Sequence, residues 1–355
     1  MLLIGTCWRG DLLSAATNSS AWDVSARFNT GWGYRDNVLR TSIAPENSAF
    51  LNTSGDVSLL RLADNGAHFT VFLLGDDTRY LDAASVQYEQ FFSSTAQGVA
   101  PVGAHDELGG QLTYLYQHQV LDVSETEALR TRLLVDGHGT SIRPHWKHFL
   151  GSGWAAQLEV AAFRQMYDGD LDDYWDFGSR LSVLRSYGYR SEFSLGYQLK
   201  QLRYDTREQF DSSGLALSGT ALRYWQQELA LQWRQHWDEA RHWRTTTKGS
   251  YLTSADNGSG YFDYQRFLFS QQLRWSTATW EIKANARGGW YFYRRQWVGL
   301  ERRERSYAVI DLRVERRVGK HWVIYAGAER EWNFSNDPLD EYRDWTASAG
   351  AGVEF

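Results

Sequence analysis

The chain has 355 residues, with 17 Trp, 20 Tyr and 17 Phe, 31 Gly, only 4 Pro, and a formal net charge of −6. A mean hydropathy of −0.52 and the lack of any uncharged apolar run of roughly 18 residues exclude a transmembrane helix. The acidic balance argues against a nucleic-acid partner. The single cysteine, Cys7, excludes an intrachain disulfide framework. Many aromatics, many charges and short apolar runs suit a wall with lipid outside and water inside. A large soluble β-protein would share that composition.

Residues 1–20 read as a separate N-terminal segment. A short apolar start is interrupted by Arg9 and Asp11, whereas a secretory signal needs a basic start and roughly 7–15 unbroken apolar residues. The segment is expected to be a clipped or misassigned signal remnant. "LIGTC" is a poor lipoprotein box, because Thr6 stands before Cys7. Residues 21–355 are expected to form one domain. Within it, "AWDVSARFNTGWGY" alternates with period two. Trp22, Val24, Ala26, Phe28, Thr30, Trp32 and Tyr34 share one face; Asp23, Ser25, Arg27 and Asn29 share the other.

The same alternation predicts strands near 51–62, 68–75, 85–96, 106–119, 129–149, 154–166, 173–185, 190–204, 216–237, 241–254, 262–276, 279–294, 305–317 and 321–333. A final strand carries Trp345, Ala347, Ala349, Ala351, Val353 and Phe355 on one face. Short turns ("LGSG", "SYGY", "VGK") alternate with long polar links ("RDNVLRTSIAPENSA", "YDTREQFDSSG") along the chain. The expected fold is all-β: a closed antiparallel transmembrane β-barrel of about 16 strands, with 14 as the alternative count. The link 97–105 is too long for the turn side and suggests a bulge, and Pro144 suggests a bulge or a strand end.

Trp154, Trp243, Trp280 and Trp322 each follow a short turn, and with Trp22 and Trp345 they are read as membrane-girdle residues. An indole there buries its rings in acyl chain and keeps its N–H wet. Trp290, Tyr291, Tyr293, Trp297, Trp332 and Phe334 are expected at the opposite girdle. Hydrocarbon forbids open sheet edges, so the strand ending at Phe355 must pair with the strand that begins near Ala21. The complementary faces place Glu281, Lys283, Asn285 and Arg287, then Asp311, Arg313, Glu315 and Arg317, then Glu329 and Glu331 toward a water-filled lumen. Opposite charges on neighbouring strands are expected to compensate one another.

The ending "TASAGAGVEF" resembles the terminal strand of bacterial outer-membrane barrels, where a terminal aromatic serves as the assembly signal; here that residue is Phe355. "GYRDNV", with Gly33, Tyr34, Asp36, Asn37 and Val38, resembles the first hairpin of the beta-barrel porin 2 family. It is also similar to the barrels of surface lipoprotein assembly modifiers, which carry a helical repeat domain before the barrel; none is expected here. The resemblance implies an outer-membrane location, links to exopolysaccharide export, and no catalytic residues. Asp36 and Asn37 are in any case turn formers where the first strand ends.

Asp168, Asp170 and Asp172 alternate like a calcium loop, but Asp173 and Ser179 stand where an EF-hand needs Gly and Glu. A solvated loop, with at most a weakly bound divalent cation, is expected. Asp76, Asp77, Asp82, Asp337, Asp340, Glu341 and Asp344 would form an acidic outer rim that attracts cations bridging lipopolysaccharide. His145 and His148 point to opposite faces of a strand and cannot share a metal, so no metal site is expected. "YRRQWVGLERRERSY", with Arg294, Arg295, Arg302, Arg303 and Arg305, reads as an exposed loop rather than an anion filter. Neither a GxSxG elbow nor an HExxH helix is present. The expected function is passive passage of hydrophilic solutes or exported glycan across the outer membrane, with no cofactor and no enzymatic step. Expected partners are outer-membrane lipid, lipopolysaccharide and the barrel assembly machinery. An assembly or secretion barrel and a barrel hydrolase are the alternatives.

Overall fold

A computed structural model describes residues 22–63, 65–122, 132–169 and 171–355. The N-terminal segment, Cys7 and Asp170 lie outside these residues. The strands are β1 (Asp23–Arg35), β2 (Ser48–Leu62), β3 (His68–Tyr80), β4 (Tyr88–Val102), β5 (Asp106–Asp122), β6 (Arg132–Gly151), β7 (Trp154–Asp168), β8 (Tyr174–Tyr187) and β9 (Ser191–Tyr204). There follow β10 (Gln209–Phe210), β11 (Ala216–Leu217), β12 (Arg223–His236), β13 (Trp243–Asp256), β14 (Tyr264–Ser276), β15 (Trp280–Val298), β16 (Glu301–Val318), β17 (Trp322–Ser335) and β18 (Tyr342–Glu354). All except β10 and β11 join one closed barrel of 16 strands, each antiparallel to its neighbours. β10 and β11 pair as a small hairpin inside the connection from β9 to β12.

Closure is made by β1 and β18, in register from Arg27–Glu354 to Arg35–Thr346. Backbone hydrogen bonds between Ala26 and Phe355 in both directions, 3.2 and 2.9 Å, complete the seam. The registers carry Trp22 once round the wall, through Phe69, Gly110 and Val160, and return at the level of Ser42. That stagger of about 20 residues tilts the strands by ~40° and gives a mean diameter of ~30 Å.

Short turns sit at one end, such as 152–153, 188–190 and 319–321; longer connections such as 36–47 and 205–222 sit at the other. Three expectations are corrected. Residues 97–102 belong to β4, whose register with β5 runs unbroken to Val102–Asp106, so the turn is only 103–105 and holds no bulge. The twelfth strand starts at Arg223 rather than 216, because 205–222 is a folded connection. Pro144 makes no bulge: β6 keeps one register with β7 on both sides of it, and the ladder merely skips Arg143 and Pro144. A proline supplies no N–H there, so the loss is local.

No conventional hydrophobic core fills the wall. Val24, Phe28 and Trp32 on β1, and Ile310 and Leu312 on β16, are exposed on the outward face. Inward, the Tyr325 hydroxyl stands over Gly31 and Gly350 at the seam. A Cβ on Gly31 would meet that hydroxyl at 2.3 Å and the Ala349 carbonyl at 2.7 Å; one on Gly350 would meet the Thr30 carbonyl at 2.2 Å. Gly31→Leu and Gly350→Leu should each cost about 1–3 kcal/mol, read as a lower midpoint of urea unfolding. Gly75→Leu, with no atom within 4 Å of the added Cβ, should leave the midpoint unchanged.

Candidate functional site: the lumen and its outer mouth

The face of each strand away from exposed Phe28, Ile310 and Leu312 encloses the interior, where side chains of non-adjacent strands can meet. Arg27 of β1 reaches Glu315 of β16 at 3.0 Å, although β17 and β18 intervene in the wall. This contact fixes which face is the lumen. By strand alternation Glu281, Lys283, Arg287, Asp311, Arg313, Glu315, Arg317 and Glu329 share it.

Their compensation differs from expectation. The register sets like against like: Glu281 opposite Glu315, and Lys283 opposite Arg313 on β15 and β16, then Asp311 opposite Glu329 on β16 and β17. Balance comes from residues two apart on one strand and, for Arg274 with Glu281, from a diagonal pair between neighbouring strands. Lys283 reaches Glu281 at 2.5 Å, and Arg313 reaches Glu315 at 2.7 Å. Outer members complete the chain of charges: Arg274 on Glu281 at 2.5 Å, Arg317 on Glu354 at 3.4 Å, and Arg287 on Glu329 at 3.4 Å. Asn285 donates to Asp311 at 2.6 Å.

At the loop end, the connection 36–47 turns inward. Val38 and Leu39 pack on Phe50, Tyr80, Ala83, Val86 and Val120, drawn from β2, β3, β5 and the connection 81–87. Asn37 pins the segment: its amide donates to the Thr41 and Arg343 carbonyls at 2.9 and 3.2 Å and accepts from the Thr41 N–H at 3.1 Å. Beneath it Arg35 donates to Asp344 at 3.0 Å and to Tyr80 at 2.9 Å, and Tyr80 donates to Glu89 at 2.6 Å. From the far side Arg132 of β6 donates to the Arg40 carbonyl at 3.3 Å and lies 4.0 Å from the ring of Tyr342 on β18. β1 to β5 separate those two strands in the wall. The mouth is therefore bridged on this side by Arg40, Arg132 and Tyr342. Sequence reading missed this bridge; the signal was the apolar pair Val38–Leu39 inside an otherwise polar link.

A second inward fold occupies the other side of the mouth. Connections 205–222 and 257–263 bury Leu222 and Phe262 against Leu202, Tyr204 and Tyr224. Tyr291 and Tyr293, expected in the outer girdle, are 4% and 3% exposed and pack inward with Leu252 and Tyr264. Period two decides it: Trp290 and Phe292, their neighbours in sequence, take the outward face and are exposed. Trp297 and Phe334 are also exposed. The arginine-rich segment is not a free loop. It forms the long hairpin of β15 and β16, and Arg303 is 1% exposed, donating to Asp340 at 2.9 Å and to Gln296 at 2.8 Å. Arg305 donates to Asn333 at 2.9 Å.

Asp337, Asp340 and Asp344 are buried, while Asp82 and Glu341 are exposed, so the acids do not form one continuous rim; Asp340 and Asp344 are absorbed into pairs with Arg303 and Arg35. Asp76 accepts from Asn52, and Asp77 pairs with Arg79 at 2.8 Å. Asp172 pairs with Arg207 at 3.2 Å and Asp173 with Arg164 at 3.1 Å. His148 is 2.9 Å from Asp106 and His138 is 2.7 Å from the Tyr114 hydroxyl, whereas His145 lies inward against Gly109. Trp154, Trp243, Trp280 and Trp322 open β7, β13, β15 and β17 at the turn end, Trp22 precedes β1, and all are outward and exposed. Trp345 sits at the loop end against Tyr34, with ring centroids 5.3 Å apart.

No family model matches the chain, and no curated protein matches it. Solved structures that resemble it include OccAB1 from Acinetobacter baumannii, at 10% identity and a TM-score of 0.46, covering 96% of this chain and 100% of that one. An anion-selective porin from Comamonas acidovorans has 10% identity and a TM-score of 0.49, covering 94% and 99%. The outer membrane protein OpdK from Pseudomonas aeruginosa has 8% identity and a TM-score of 0.48, covering 94% and 99%. No residue, ligand or partner is carried across from them.

The connection 36–47 is also held by a carboxylate contact, which makes its fold dependent on pH. Glu46 accepts from the Ser85 hydroxyl at 2.6 Å and the Ser85 N–H at 3.1 Å, and these bonds hold its carboxyl below the usual carboxylate range. A depressed folded pKa contributes stability above the ordinary value and loses it as pH falls through the depressed one. Backbone amides of 37–44 should be protected from hydrogen exchange at pH 7. That protection, corrected for intrinsic rates, should fade as pH falls through the depressed pKa of Glu46. Asn37→Ala should raise exchange there about tenfold at pH 7, and Glu46→Gln should remove the acid dependence.

Proposed function

We propose that the chain is a bacterial outer-membrane channel through which hydrophilic solutes pass passively. One observation carries this reading: a closed wall is apolar outward while its inward face holds a continuous set of charged and amide side chains, with Arg27 meeting Glu315 through the interior. Such a surface is stable only with acyl chains outside and water inside. A wall ~30 Å across leaves an aqueous path beside the inward side chains. The two inward folds at the loop end would set its narrowest part.

The resemblance of Gly33 to Val38 to the beta-barrel porin 2 family supports exported glycan as the finer substrate reading. In this reading the turn end faces the periplasm, Phe355 is read by the barrel assembly machinery, and the loop end meets lipopolysaccharide. Asp168 and Asp172, beside the loop-end arginines, are at most a weak divalent-cation seat.

Planar-bilayer recording tests the channel. Wild-type protein should insert and conduct, and a variant lacking residues 38–44 should conduct more. Arg313→Glu should shift the cation-to-anion permeability ratio toward cations by roughly twofold. Absence of conductance in both wild type and the shortened variant would refute the channel.

A further inference from the structure

Three arginines on the outward face share one arrangement that the channel does not use. Trp154, the first residue of β7, stands directly opposite Arg185 of β8, and the guanidinium carbon lies 5.0 Å from the indole centroid. Trp280, the first residue of β15, stands opposite Arg316 of β16 at 5.2 Å. Trp22, just before β1, lies under Arg61 of β2 at 5.9 Å. All three pairs belong to the turn end, at separate points on the circumference. Their next neighbours are apolar and outward: Phe69 packs edge-on to Trp22 at 6.0 Å, and Ile324 is paired with Arg316 and exposed.

None of the three guanidinium groups reaches a carboxylate among the described residues. This contrasts with the lumen, where arginine after arginine is paired with an acid. All three arginines are exposed, and three cations without a protein counterion at one level of the apolar belt are open to an external anion. Stacking on the indole covers the guanidinium face and leaves its N–H edge to donate. That edge matches two oxygens of a phosphate. The belt below an indole girdle is the headgroup level of a bilayer.

We propose that Arg61, Arg185 and Arg316, each held on its tryptophan, seat the phosphates of anionic phospholipids in the leaflet at the turn end. The proposal rests on the membrane placement argued above, and the two fail separately. A chain that does not enter bilayers fails the conductance test, whereas one that conducts but retains no anionic lipid fails only this one.

Purified full-length protein in detergent is titrated with phosphatidylglycerol or phosphatidylcholine, and bound lipids are counted by native mass spectrometry. Wild type should retain up to three phosphatidylglycerol molecules in preference to phosphatidylcholine. The triple variant R61Q/R185Q/R316Q should bind phosphatidylglycerol about tenfold more weakly, with its folded state verified by heat-modifiable gel mobility. Arg→Lys at the three sites should fall between, because charge is kept and the fork is lost. Inorganic phosphate at millimolar concentration should not displace the lipid; full displacement would assign the seats to free phosphate and overturn the proposal. Unchanged phosphatidylglycerol binding in a folded triple variant would also overturn it. So would preference of these three seats for lipopolysaccharide. Should the triple variant not fold, each single variant is expected to lose one lipid, and three unchanged counts would be decisive against it.

Discussion

The pairing of β1 with β18 is the constraint on which the rest of the molecule depends. Within hydrocarbon an unpaired backbone N–H or C=O costs several kcal/mol, so a sheet of this length must either close or leave the membrane. Closure with a stagger of about 20 residues fixes the tilt and assigns every side chain to one of two solvents. Gly31, Gly33, Gly350 and Gly352 concentrate at this seam, and Tyr325, Phe50 and Asn29 fill the space they leave. The seam is thus built for close approach of its strands as well as for backbone pairing.

Once inside and outside are separated, charge follows a different rule on each face. Inward, the register opposes like charges, and balance is restored along each strand, diagonally between neighbouring strands by Arg274, and across intervening strands by Arg27 and Arg287. The interior potential therefore depends on which strand neighbours share a face, and a one-residue slip would turn the whole charged set outward. At the loop end the pairs are more deeply buried. Arg303 with Asp340, and Arg35 with Asp344, are shielded from water and tie connections together. Breaking one member of such a pair leaves an uncompensated charge, which costs more than the intact pair contributes.

Much of the architecture was legible from period two alone. Trp345 to Phe355 and Trp22 to Tyr34 declared their faces, and the eight lumen candidates share the inward one. What stayed hidden was set by contacts distant in sequence. Residues 97–102 looked like a link because Gly98, Pro101 and Gly103 are turn formers, yet β5 pairs with them and keeps them extended. The polar run after Arg35 looked like a solvated loop, but Val38 finds an apolar seat among residues up to Val120. Asp340 and Asp344 looked like a rim, because nothing local announces an arginine that arrives from another strand. Tyr291 and Tyr293 were misplaced for a simpler reason: an aromatic cluster was treated as one surface when alternation divides it.

The central claim is that two solvents divide the side chains of each strand. Single cysteines placed in turn at residues 345–353 of β18, in a Cys7→Ser background and reconstituted in liposomes, test it with a water-soluble thiol reagent. Thr346 and Ser348 positions should react, while Trp345, Ala347, Ala349, Ala351 and Val353 positions should be shielded by acyl chain; Gly350 and Gly352, where a Cβ would meet the β1 backbone, are left unchanged. Equal labelling of both sets, or the reverse pattern, would contradict a lipid-facing wall around an aqueous lumen.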